Sequence, residues 1–396
     1  MKAILINKNM EKKKMKNIVC LTVLGCALYT SASNSALVPD DAAAVVNLRT
    51  SCSENSADID NCFASIPDLV TWIEGTRRPN ESNPLQVNIG PGTYAGPLIL
   101  QCNATNNYTG HISFVGSGSR QSIIEGTNYS SPIAVASCTE MNFSALQTST
   151  TLYGGVVWSG GGNSKWVDVE INAAARGWYE PSCGAERGSH YWYSSKITAT
   201  AGFTIGTSYL ASCDESWFFG SEIALNVPPG QRTGEAGVVL AYNDGIIHVY
   251  GSVLRSLVEN NPISGYVSAP AAVVGNVPGH DSSGGEIHIH GTGIDLISEA
   301  GVDMVALKAS DGGMIHADST AYNMVTTGQI TRIQNDNGMV HAPYVWAGRA
   351  EAPDVMSTTG SDTAVVTNTG DQQPHLVVYS SNCPSNWYDV VTGSCR

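Results

Sequence analysis

Charge is scarce in this chain: of 396 residues, 20 are Lys or Arg and 34 are Asp or Glu, 14% in all. A helix-rich protein covers its solvent faces with long runs of Lys, Glu, Arg and Ala, which this complement cannot supply, so a predominantly helical fold is excluded. Long apolar runs are missing too. The stretch Ile18 to Tyr29 stops at 12 residues, short of the ~20 a membrane-spanning helix needs. No Cys-x-x-Cys pair or Cys/His zinc spacing occurs, which leaves the cysteines a structural role rather than zinc ligation. Basic excess is absent as well, and with it nucleic acid or an anionic membrane as a partner attracted at long range. What is present is 42% hydrophobic residues, ample for a core and too many for a disordered chain, together with 41 Gly. Length alone allows two or three domains, or one elongated solenoid.

Residues 1–32 have the layout of a secretory signal. Lys12, Lys13, Lys14 and Lys16 precede the apolar run, and the small residues Ser31, Ala32 and Ser33 follow it. Cleavage near Ala32 is the default reading. Val23-Leu24-Gly25-Cys26 offers an alternative, a lipoprotein signal with Cys26 as the lipidated residue. The expected location is therefore secreted, periplasmic or cell-surface. Without residues 1–32 the chain has 14 basic against 33 acidic residues, a net charge of -19. A bare polyanion is then a poor substrate unless cations or local Arg clusters intervene.

Eight cysteines remain, an even number in an oxidising compartment, which implies bridges. Pairing of neighbours gives Cys52 with Cys62, Cys102 with Cys138, Cys183 with Cys213 and Cys383 with Cys395. The outer pairs close short loops, and the middle ones staple adjacent coils of a solenoid.

Internal repeats decide the fold. Asn163-Ser-Lys-Trp-Val-Asp-Val-Glu-Ile171, Ser189-His-Tyr-Trp-Tyr-Ser-Ser-Lys-Ile197 and Glu215-Ser-Trp-Phe-Phe-Gly-Ser-Glu-Ile223 recur in steps of 26 residues. Toward the carboxyl end, Leu240 to His248 matches Leu307 to His316 and Ile333 to His341, with Gly285 to His288 as a partial copy. Each unit is a short alternating strand followed by a Gly, Ser or Asn turn, with no helical spacer. Stacking such units at the ~4.8 Å spacing of neighbouring strands builds a right-handed parallel β-helix. Period-2 alternation turns Ile247, Ile287, Ile315 and Val340 inward and His248, His288, His316 and His341 outward. That His column is either a metal or substrate ladder or a solvated row of equivalent solenoid positions. No carboxylate recurs at a fixed offset to complete a metal site along it, and the expected metal content is none.

The opening of the body carries Asp68-Leu-Val-Thr-Trp-Ile-Glu74, then Val87-Asn-Ile-Gly-Pro-Gly-Thr-Tyr94, then Ile112 to Gly126 with its Val-Gly-Ser-Gly turn and Ile-Ile strand. Over residues 60–126 this order resembles the pectin lyase-like superfamily, particularly pectin methylesterases. The resemblance implies a right-handed β-helix with a short helical cap. It does not bring the catalytic blocks: Gln-Asp-Thr-Leu is absent, Ser216-Trp-Phe-Phe-Gly220 has Ser where the family's nucleophilic Asp stands, and Ala-Glu-Ala follows Gly348-Arg349.

Between residues 158 and 217 lie Trp158, Trp166, Trp178, Trp192 and Trp217. Exposed aromatic faces with polar edges suit sugar rings, whereas rings on alternating runs suit the coil interior. Trp178 and Tyr179 fall in a polar segment read as a loop, so they are expected on the surface, with Arg187, His190 and Trp217, as substrate contacts. Glu180, Glu186, Asp214 and Glu215 are the candidate acid and base for glycoside cleavage, or hard-oxygen ligands for Ca²⁺, the one cofactor considered. The expected organisation is a signal at 1–32, a capped β-helix at 33–351, and a Ser/Thr-rich cover with a disulfide cap at 352–396. The expected function is binding or processing of a polysaccharide or cell-surface glycan. The rival reading is a non-catalytic adhesive β-helix.

Overall fold

Short strands rich in β-branched and aromatic residues, each too small to bury its apolar side alone, find their partners one coil away. The computed structural model describes residues 44–328 apart from 53–60, 128–129, 152–153, 182–186, 201–206, 212, 230–236, 242–243, 260–271, 275–284, 300 and 311–312. Beyond 328 it describes the strands Ile330–Asp336, Met339–Ala350, Asp354–Thr359, Val365–Asn368, His375–Tyr379, Trp387–Asp389 and Ser394–Cys395. The signal-like segment with Cys26, and Cys183, Glu186 and Cys383, lie outside the described residues.

The expected parallel β-helix is the observed fold. A 25-stranded sheet and a 10-stranded sheet are built almost wholly from parallel pairings between successive coils. In the middle coils the chain runs Ser189–Tyr193, Lys196–Thr200 and Thr207–Ala211, then begins the next coil with Glu215–Phe219. The 26-residue repeat is the strand pairing itself: Asn163 pairs with Ser189 and Ser189 with Glu215.

The corner after each first strand is made by one backbone device. Asp168, Ser194, Gly220, Gly251, Gly291 and Ser319 all have φ between 47 and 56°. Glycine fits this left-handed conformation without steric cost. The next residue in the later coils is a hydroxyl: Ser195, Ser221, Ser252, Thr292 and Thr320. Ser221 Oγ donates to the carbonyl of Phe219 (3.2 Å) and accepts from the N–H of Ser195 one coil earlier (3.2 Å). Ser252 Oγ repeats this with Tyr250 (2.9 Å) and Ser221 (3.0 Å). Buried corner amides, which have no strand partner, thus find an acceptor in the next coil.

The core is two columns of aromatic rings. Phe114, Phe143, Trp166, Trp192 and Phe218 stack along one wall at centroid spacings of 4.1–5.7 Å. Trp158, Trp178 and Tyr209 stack along the 10-stranded sheet and meet the first column edge-on, with interplanar angles of 88–89° among Trp166, Trp178, Trp192, Tyr209 and Phe218. Offset stacks and edge-to-face contacts are the favoured arrangements of ring quadrupoles. Ile247, Ile287 and Ile315 continue the interior, fully buried as the alternation requires.

The amino-terminal cap is the helix Ile66–Trp72. Ser65 caps it by accepting from the N–H of Asp68 (3.3 Å), Pro67 sits in the first turn, and Ile66, Leu69 and Trp72 bury one face against the first coils. Cys52–Cys62 and Cys102–Cys138 are bridged as spacing suggested, the second joining the ends of two adjacent strands. Cys213 is disulfide-bonded as well.

Composition marked 352–373 as a loose cover, yet Asp354–Thr359 pairs in parallel with Ile330–Asp336, and Val365–Asn368 with Met339–Ala350. Val355, Thr358, Thr359, Val365 and Val366 supply the β-branched residues that favour extension of the ladder over a linker. His375–Tyr379, Trp387–Asp389 and Ser394–Cys395 then turn antiparallel. No helix among the described residues is long and apolar enough to cross a membrane.

Candidate functional site

The residues singled out by sequence separate into two environments. Trp178 is fully buried, not a surface platform, because Arg176–Tyr179 is a strand of the 10-stranded sheet rather than a loop. Its neighbour Tyr179 is half-buried on the other side of that strand, under the Arg176 guanidinium at 4.4 Å from the ring centre. His190 also points inward, as do Glu180 and Asp214.

These buried groups form one closed network. Trp166 Nε1 donates to Ser164 Oγ (2.7 Å), and Ser164 Oγ meets His190 Nδ1 (2.8 Å). His190 Nε2 faces Asp214 Oδ2 at 3.2 Å and Glu180 Oε1 at 3.7 Å. Asp214 Oδ1 accepts from the N–H of Gly188 (2.7 Å), and Glu180 Oε1 from Trp178 Nε1 (2.8 Å). The Nε2–H tautomer of His190 gives every bond in the chain a donor and an acceptor. A side chain at Gly188 would collide with the carbonyl of Gly162 and with Asp214, so glycine alone permits this close approach.

The order hydroxyl, imidazole, carboxylate resembles an acyl-transfer triad, but Trp158 and Trp178 pack on the imidazole and no part of His190 reaches solvent. Glu180, His190 and Asp214 bring three ligand atoms within 4.8 Å of one another, with indole and amide N–H groups already bonded to the carboxylates, fewer than the six to eight oxygens that Ca²⁺ takes. The network is the polar filling of the aromatic core.

Tyr209 closes the same region, its hydroxyl 2.7 Å from Ser216 Oγ. Burial, reinforced by the Glu180 carboxylate, holds its phenol well above the ordinary value of 10.0. A folded-state acid that keeps its proton longer than the unfolded chain does loses its stabilising contribution as pH rises through the unfolded value. The urea midpoint should therefore be flat from about pH 8 to about pH 9.5 and fall above about pH 10. Tyr209→Phe should make that alkaline fall shallower, with Tyr94 and Tyr108, raised by burial in the same way, sustaining the remainder. An unchanged alkaline slope in Tyr209→Phe would refute the assignment.

The outer surface of the first strand in each coil carries the other environment. Lys165, Tyr191, Trp217, His248, His288 and His316 occupy consecutive register positions. From Tyr191 onward the rings are nearly parallel at 4.7–5.2 Å. Two residues along each strand, Tyr193, Phe219, Tyr250 and His290 make a second such row at 4.9–5.4 Å. Trp217 is thus on the outer face as expected, but both of its ring faces are covered, by Tyr191 and His248. The carboxylates paired with these imidazoles are Glu215, 2.8 Å from His248 Nε2, Glu286, 2.8 Å from His288 Nε2, and Asp318, 2.9 Å from His290 Nδ1. Arg187 lies apart from them and donates to the carbonyl of Asp244 (2.8 Å). Of the four carboxylates proposed as an acid and base set, Glu180 and Asp214 face inward and Glu215 outward; Glu186 is outside the described residues.

Among the described residues, no ring stacks on the face of Tyr191 turned away from Trp217. Tyr191 has Trp217 on one side; on the other lies Lys165, whose ammonium leans over Tyr193 at 5.4 Å from its centre. There the surface sinks into a depression of about 320 Å³ lined by Glu140, Asn142, Asn163, Ser164, Lys165, Ser189 and Tyr191. Sequence reasoning missed this site because it centred on the Trp residues. The signal was the change from Lys165 to Tyr191 at equivalent positions of the repeat.

The chain is therefore a parallel β-helix with an aromatic and histidine face. No protein-family model matches the chain, and no curated protein matches it. Among solved structures, a pectin methylesterase from carrot aligns over 83% of this chain and 91% of its own at 11% identity, with a TM-score of 0.40. The A-module of the Azotobacter vinelandii mannuronan C-5 epimerase AlgE4 aligns over 76% and 95% at 12% identity, TM-score 0.36. The catalytic domain of a GH87 α-1,3-glucanase in complex with nigerose aligns over 85% and 70% at 10% identity, TM-score 0.30.

Proposed function

We propose that this is an exported glycan-binding β-helix whose sugar platform is the open face of Tyr191. The observation that carries the reading is the polar depression on that face. An aromatic face bordered by a carboxylate, two amides, a hydroxyl and an ammonium offers apolar stacking and directional hydrogen bonds together, the combination a sugar ring requires. Glu140 and Lys165 balance each other, and the chain as a whole is acidic, which favours a neutral glycan over a polyanion.

Affinity electrophoresis through gels containing single polysaccharides, neutral and acidic, tests the reading. Retardation on a neutral glycan is expected, with Tyr191→Ala weakening it at least about tenfold, or 1.4 kcal/mol, and Tyr191→Phe retaining most of it. Free migration in every neutral gel, or retardation indifferent to Tyr191→Ala, would overturn it and leave the non-catalytic, adhesive reading. The pairing of Glu215 with His248 on the same face supports a second reading, in which the bound glycan is also processed. Release of reducing ends, unsaturated products or acyl groups, abolished by Glu215→Gln, is the expected result in that case.

A further inference from the structure

The histidine end of the outer face holds donors of another chemistry. Glu286–His290 and Met314–Asp318 are adjacent parallel strands in which Glu286 pairs with Met314 and His288 with His316. Residues two apart share a face, so four side chains form a square of donors on the surface. Glu286 Oε1 lies 2.8 Å from His288 Nε2 and 3.7 Å from His316 Nε2, and Met314 Sδ lies 2.9 Å from His316 Nε2. The carboxylate oxygen and the two imidazole nitrogens are within 4.8 Å of one another.

Three features suit this square to an ion. The two imidazoles are stacked at 4.9 Å, and both turn Nε2 toward the same Glu286 oxygen. All three side chains are partly exposed (His288 24%, His316 31%, Glu286 32%), open enough for an ion to enter and for the rings to rotate. Bonds of about 2.0–2.1 Å place tetrahedral donor pairs about 3.4 Å apart, a contraction such rotation supplies. The donors are two borderline nitrogens, one oxygen and a nearby thioether. Ca²⁺ and Mg²⁺ prefer all-oxygen shells, whereas imidazole and thioether suit late first-row ions. The backbone also places Met339 and His341 at the next register positions, repeating the Met-x-His spacing one coil further.

We propose that Glu286, His288 and His316 form a binding site for a late first-row transition-metal ion, Cu²⁺ or Zn²⁺, with Met314 as an adjacent soft donor. The sequence concealed it because the completing carboxylate comes from one coil only and does not recur along the column.

The test is isothermal titration of the tag-free, EDTA-treated and dialysed protein with CuSO₄, ZnSO₄ and CaCl₂ in separate runs. Expected is one-to-one binding of Cu²⁺, Zn²⁺ or both, the runs showing which, and no saturable heat with Ca²⁺. His288→Ala and His316→Ala should each weaken binding at least tenfold, and His111→Ala, in a distant coil, should leave it unchanged. Electron paramagnetic resonance of the wild-type Cu²⁺ complex gives a readout independent of how the variants fold, with hyperfine structure from two imidazole nitrogens expected. Absence of binding by both transition ions, binding indifferent to His288→Ala and to His316→Ala, or an oxygen-only Cu²⁺ spectrum would each overturn the site.

Discussion

Trp178→Ala should lower the unfolding free energy by about 3–5 kcal/mol, the cost of truncating a fully buried indole whose neighbours cannot collapse into the space. The neighbours here are Trp158, Trp166, His190, Trp192 and Tyr209, five rings already fixed by each other. Trp178→Phe keeps a ring but strips Glu180 Oε1 of its indole donor (2.8 Å), a smaller loss of about 1–3 kcal/mol. Trp217→Ala on the outer face should cost about 1 kcal/mol, since it gives up stacking contacts near solvent. Urea denaturation followed by far-ultraviolet circular dichroism ranks the three. A midpoint for Trp178→Ala close to that of Trp217→Ala would contradict the buried placement and return Trp178 to the surface.

The second large effect is expected at Asp214. Its two oxygens receive the Gly188 amide and His190, and Asp214→Ala leaves both donors buried without an acceptor, a loss of about 3–5 kcal/mol. Asp214→Asn keeps one acceptor oxygen and should fall between the wild type and the alanine variant. Equal destabilisation by the two substitutions would show that lost packing, rather than the hydrogen bonds, sets the cost. Because Asp214 is a core residue, glycan retardation by whatever Asp214→Asn remains folded should match wild type. Selective loss of binding in a folded variant would instead place Asp214 at the binding face.

Much of this was written in the sequence's period. Spacing of 26 residues gave the coil, and alternation gave the inward Ile and outward His of the later coils. The same alternation, carried back through register, settles His190. Ser164, His190, Ser216, Ile247 and Ile287 occupy one inward column, so His190 stands where other coils put Ile or Ser. Its apparent kinship with the outward histidines is a one-residue offset, and in a strand one residue changes the face. Asp214 and Glu215 illustrate the same point, adjacent in sequence and facing opposite ways. Glu180 was less legible, because the strand Arg176–Tyr179 beside it carries Arg, Gly and two consecutive buried positions rather than an alternating pattern. The open face of Tyr191 and the Glu286 pairings depend on where side chains lean, which no spacing records.

The outer rows behave like stacks of plates, in which a ring within the stack has both faces covered and a ring at its end does not. Every interior ring has its faces covered by the coils before and after it, so the glycan affinity proposed for Tyr191 should not grow with the number of aromatic residues behind it. What those residues determine is where the exposed plate lies. The site is marked by a boundary, the coil at which Lys165 replaces a ring, and each further aromatic substitution there would carry the boundary about 4.8 Å along the axis without altering its chemistry. A solenoid of this kind can move a binding site along its length by changing one residue per coil, while its interior, held by separate columns, stays as it was.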